Sequence, residues 1–147
     1  MSKWSLPKDE TVYKISEETA EKSVMQLVKY YRIDIDALPN ADAQKSLEGA
    51  LATLQDGFRR GLLETEIDDD GNMKVIQTLE KGGQPITYKE MTAKMKRVMD
   101  GYPEGTMFER QQALLGALCG FGKDVIGELK RYDLRLAEGL SIVFLSA

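Results

Sequence analysis

Apolar residues recur at helical spacing through much of this chain, and most densely in its last third, Thr106 to Ala147. There Leu114, Leu115, Leu118, Val125, Ile126, Leu129, Leu136, Leu140, Val143 and Phe144 mostly follow the spacing of buried helix faces. A domain needs one contiguous core, so residues 106–147 are expected to form its centre, as two or three closely linked helices. The first of them is expected to open at Thr106, with Glu109 completing a capping box, and to end at Cys119-Gly-Phe-Gly122. The next is expected over Lys123–Lys130, and the last over Asp133–Leu145, with Asp133 as its cap.

Upstream the pattern changes twice. Ala20, Val24, Leu27, Val28 and Tyr31 make one stripe over a helix from Ser16 to Arg32. Ser16 is its expected N-cap, and Glu17 and Glu18 suit its positive end. Pro39-Asn40 stops the next stretch, and a second helix is expected from Ala41 to Arg60. Its stripe is Leu47, Ala50, Leu51, Leu54 and Phe58, with Gly61 just past its end. Two strands then follow, Leu62–Ile67 and Met73–Leu79, joined by the turn Asp68-Asp-Asp-Gly-Asn72. Ile86-Thr-Tyr88 is a candidate third strand. A third helix is expected from Thr87 or Tyr88 to Met99, with Thr87 and Glu90 as its capping box. The N-terminal stretch, Met1 to Ile15, reads as an arm in which Thr11–Ile15 alternates like a short strand.

The expected fold is therefore mainly α, in the α+β class. It has five or six helices around one small antiparallel two- or three-stranded meander at residues 62–88. Neither an internal repeat nor a linker divides residues 1–147. A domain of this size buries roughly 70% of its unfolded surface, so no disulfide or metal is needed for it to fold.

Composition narrows the functions. The net charge is −4, which offers no basic field for nucleic acid, although Arg59, Arg60, Lys89, Lys94, Lys96 and Arg97 cluster locally. There is no histidine, so Ser-His-Asp, Cys-His and His-zinc chemistry are excluded. A single cysteine, Cys119, gives no internal disulfide. The first ten residues, MSKWSLPKDE, carry no apolar run, and no stretch approaches the ~18 consecutive apolar residues of a membrane span. The expected location is the cytoplasm, with no cofactor and no membrane partner.

Each candidate site competes with a plainer reading. Glu66, Asp68, Asp70, Gly71 and Gln77 fall near a calcium-loop frame, but Glu replaces the first Asp and Gln77 the bidentate Glu, so a polar hairpin turn is expected. Cys119 sits on an apolar helix side with no histidine to activate it and is expected to be inert. The glycines from Gly116 to Gly127 match no phosphate-binding frame. Glu64 with Glu66, and Asp68 with Asp70, lack the surroundings that split carboxylate pKa values into acid and base. Met91, Met95 and Met99 recur every fourth residue. Such a stripe is more often core, yet methionine also makes adaptable binding surfaces. These three, with Trp4 and Tyr13 of the arm, are the candidate partner-binding residues.

The last third also resembles the small tail-assembly chaperones of long-tailed bacteriophages. The resemblance rests on Ala113-Leu-Leu-Gly-Ala-Leu-Cys-Gly-Phe121, then Val125-Ile-Gly-Glu-Leu129, then Asp133-Leu-Arg-Leu-Ala-Glu-Gly-Leu140, closing with Val143-Phe-Leu145. It implies a non-enzymatic phage or prophage protein that binds tape-measure or tail-tube proteins, or copies of itself, through apolar helix faces. The alternative is a small bacterial adaptor domain with one cellular partner. An enzyme built on carboxylates or lysine is the third reading.

Overall fold

The computed structural model describes residues 12–80, 82–102, 106–120 and 122–146. Helix α1 spans Glu17–Tyr30, where the Ser16 side chain accepts the Thr19 amide at 3.2 Å. Its expected stripe turns inward, burying Ala20, Val24 and Leu27. A single 3₁₀ turn, Ile35–Ala37, leads to α2 at Ala41–Arg59. Asn40 caps α2 by accepting the Ala43 amide at 2.8 Å. Gly61 follows at φ 73°, the left-handed conformation that ends many helices and favours glycine.

The chain then builds an antiparallel sheet in the order β1-β2-β3, from Leu63–Ile67, Met73–Gln77 and Ile86–Tyr88. The β1–β2 turn is closed by Asp68, whose Oδ1 accepts the amides of Asp70 and Asn72, both at 2.9 Å. The polar-turn reading of this segment fits that geometry. Strand β2 alternates strictly, with Met73, Val75 and Gln77 facing inward.

The third helix departs from expectation. Residues 86–88 are strand, because Val75, Ile76 and Gln77 pair with Tyr88, Thr87 and Ile86 and bury two of the three side chains. Thr87 and Glu90 therefore form no capping box, and Glu90 instead accepts the Tyr30 hydroxyl. Helix α3 is one short turn, Ala93–Lys96, capped by Thr92 and running into a 3₁₀ turn at Arg97–Gly101.

The last third holds α4 (Met107–Cys119), α5 (Lys123–Gly127) and α6 (Arg131–Leu145). Thr106 precedes α4, and its side chain does not make the expected cap bond to the helix. Helix α5 is shorter than expected, because the chain is extended again at Lys130. Helix α6 starts before Asp133, which lies buried in its first turn. The Val12–Ile15 end of the arm forms no strand; its Lys14 and Ile15 amides donate to the Arg59 carbonyl at 2.8 and 3.0 Å.

Helices α2 and α6 pack side by side and carry the other layers. Gly57 permits this approach: a Cβ there would lie 2.6 Å from Leu136 Cδ2. Leu114, Leu115, Leu118, Ile126, Leu136 and Phe144 are among the fully buried side chains, so the last third does supply much of the core. Val125, expected in that core, is 37% exposed. Among the described residues no helix is long and apolar enough to cross a membrane.

Candidate partner-binding site

A cleft of about 370 Å³ opens between the sheet and the α5–α6 junction. Leu79, Ile86, Val125 and Leu129 line it, with Gln84, Glu128, Lys130 and Asp133 as its polar members. Its position follows from β2 and β3. Leu79 continues the chain out of β2, and Ile86 opens β3, so the end of the sheet forms one wall. The segment from Val125 of α5 through Lys130 to Asp133 of α6 forms the other.

Buried hydrogen bonds hold these walls together. Gln77, 0% exposed, donates through Nε2 to the Asp133 carbonyl at 2.8 Å and accepts the Tyr88 hydroxyl at 2.9 Å. The Asp133 carboxylate accepts the Glu80 amide at 3.1 Å. Burial, with smaller contributions from Cys119 and Asp133, pushes the Tyr88 hydroxyl well above its ordinary pKa, so it stays a neutral donor. Such a network stiffens its surroundings because each buried partner would otherwise go unsatisfied. The cleft is thus a preformed, largely apolar slot with a mixed-charge rim.

The last third also exposes apolar side chains outside the cleft. Phe108 is 67% exposed and Met107 55% exposed, both in the first turn of α4. Phe108 borders a shallow groove with Gln112, Leu115, Ile126 and Leu134, so it meets α5 from the side of Ile126 while the cleft meets it from Val125. Large exposed apolar side chains and a preformed apolar slot are each common features of protein contacts.

The residues expected to bind a partner lie elsewhere. Met99 is 6% exposed and belongs to the core, so it offers no surface. Met91 and Met95 are half-buried and pack against that core. The three do not form one helix face, because Met91 precedes α3 and Met99 lies in the following 3₁₀ turn. Trp4 lies outside the described residues. Tyr13 is engaged within the chain: its hydroxyl donates to Asp56 Oδ1 at 2.7 Å, and the Arg59 guanidinium lies 4.0 Å from its ring centre.

Asp56 gathers two further donors, the Tyr132 hydroxyl and Arg60 Nε, the latter at 2.7 Å. Burial pulls the Asp56 carboxyl upward, but hydrogen bonds from Tyr132, Tyr13 and Arg60 outweigh it and hold the pKa below its ordinary value. Tyr132 is raised, first by burial and then by its bond to Asp56. Cys119 is buried and its Sγ lies 3.5 Å from the Gly116 carbonyl, the position of a structural thiol.

Sequence reasoning weighed Gln77 only against a calcium-loop frame and Asp133 only as a helix cap, and passed over Asp56 and Phe108. Gln77 carried a signal, since the Met73, Val75, Gln77 alternation places it on the inward face. Asp56 and Phe108 stand off their helix stripes, and nothing local marks them. No protein-family model, curated protein sequence or solved structure matches this chain.

Proposed function

We propose that the chain is a non-enzymatic assembly factor of phage or prophage type, a tail-assembly chaperone-like protein acting by protein–protein contact in the cytoplasm. The observation that carries this reading is the preformed cleft of Leu79, Ile86, Val125 and Leu129, with Phe108 and Met107 exposed on α4 of the same last third. The apolar surface around it is built mainly by α4–α6, the segment whose residue pattern resembles the phage chaperones. An amphipathic helix of a tape-measure-like partner would place one apolar anchor in the cleft, and Phe108 offers a further apolar contact to the same partner. Holding such a helix keeps its apolar face from water until its assembly partner arrives.

The test is affinity capture of the tagged chain from its native host with prophages induced, read by mass spectrometry. The expected result is a long helical protein or a tail-tube subunit, lost from Val125→Glu and from Phe108→Glu. Both side chains are exposed enough for the fold to survive the change. Recovery of one globular cellular protein would replace this reading with the adaptor alternative.

A further inference from the structure

A second hollow, of about 360 Å³, lies on the other side of α6's first turns, lined by Ala52, Thr53, Asp56, Arg60, Tyr132 and Arg135. We infer that this hollow binds an acidic side chain of the same protein partner. The inference rests on the partner-binding reading above and adds the partner's chemistry.

Charge is the first argument. The chain as a whole carries −4, yet this hollow presents two guanidinium groups against one carboxylate. That carboxylate is already occupied, since Tyr13, Tyr132 and Arg60 all donate to it. A carboxylate holding three donors has little left to offer a cation. The local balance therefore favours an anion.

Preorganisation is the second. Arg60 is fixed by Nε on Asp56 and by its guanidinium carbon, 4.5 Å from the centre of the Tyr132 ring. A fork held on both sides loses little freedom when it binds. Its two terminal amino groups are the part an incoming carboxylate would meet. Arg135, exposed on the next turn of α6 from Tyr132, supplies a whole fork for a bidentate pair.

Placement is the third. Tyr132 and Arg135 face this hollow while Asp133, between them in sequence, faces the apolar cleft. At about 100° per residue, Asp133 and Arg135 stand roughly 160° apart, so the cleft and this hollow lie on nearly opposite sides of the helix. A partner with its apolar anchor in the cleft therefore reaches this hollow by passing around the start of α6, with an acidic residue over Arg135. The recognised partner then carries an apolar anchor and, on a separate stretch, an Asp or Glu.

The experiment is a titration of the isotope-labelled full chain with an end-blocked hexaglutamate peptide, followed by amide chemical shifts, with hexalysine as control. Shifts are expected at Thr53, Tyr132 and Arg135, fading with added salt, and weakened about tenfold by Arg135→Glu, as for loss of one charge-assisted pair. Shifts that map elsewhere, that hexalysine reproduces, or that Arg135→Glu leaves unchanged would overturn the inference. The host capture separates the two readings. If Val125→Glu loses the partner and Arg135→Glu keeps it undiminished, the acidic seat is wrong and the assembly role stands. If neither variant loses the partner, both fall.

Discussion

Two polar clusters flank the first turns of α6, and burial separates them. Gln77, Tyr88 and Asp133 lie in the interior, where Gln77 is inaccessible to water. Tyr13, Asp56, Arg60 and Tyr132 lie half-exposed at the surface. Both tie distant parts of the chain to α6. In the first, removing one partner leaves a buried group with no water to replace it, which costs about 1–3 kcal/mol for each orphan. In the second, water and salt take over most of what is lost, and exposed pairs contribute about 0–1 kcal/mol. Similar hydrogen bonds should therefore matter very differently.

Gln77→Ala is the strongest way to break the interior cluster. It orphans the Tyr88 hydroxyl and the Asp133 carbonyl together and leaves a cavity, so urea unfolding should show a loss of about 3 kcal/mol. The cleft should loosen with it, seen as faster amide exchange at Leu79 and Ile86. Tyr88→Phe removes one donor and keeps the ring, and is expected to cost about 1.5 kcal/mol in the same assay. Equal losses from these two variants would show that the network does not act through its unsatisfied groups.

The surface cluster should respond more weakly and with pH. The folded-state pKa of Asp56 is lowered, so the unfolded state binds more protons across the window between the two values. Stability from Asp56 is thus present above its ordinary value, about 3.9, and fades as pH falls through the lower folded value. Asp56→Asn should cost about 1 kcal/mol at pH 7 and flatten the loss of stability below pH ~4, measured by denaturant midpoints across pH. A slope identical to that of the parent chain would mean that Asp56 does not titrate differently on folding. Tyr13→Phe is the mildest change, about 0.5 kcal/mol, because the ring stays against Arg59 while one half-exposed hydroxyl is lost. Its effect should appear chiefly as lower protection of the Lys14 and Ile15 amides.

The same contrast explains what could be read in advance. Helices α1 and α2 were legible to within a residue or two, because Ser16, Asn40 and Gly61 act on their own neighbours. The helix expected at residues 88–99 failed because its evidence was local and its competitor was not. Ile86–Tyr88 pairs with β2, and Thr87 and Glu90 were drawn into other contacts. The methionine spacing misled in the same way, since a repeat of four describes one face only where a helix runs beneath it. The cleft could not be read at all, as Leu79, Ile86, Val125 and Asp133 belong to segments far apart in the chain.

What the sequence alone determined was a mainly helical α+β chain, with its caps, its hairpin turn and a last third rich in core residues. These follow from interactions that span a few residues, where spacing and side-chain chemistry are enough. The tertiary structure decided which polar groups were buried and which apolar ones were left outside. Only packing could turn Asp133 from a helix cap into a tie to Glu80, seat Gln77 beneath the cleft, and leave Phe108 in water. Burial is a property of the whole assembled chain, and it sets both the strength of each hydrogen bond and the surface left for a partner.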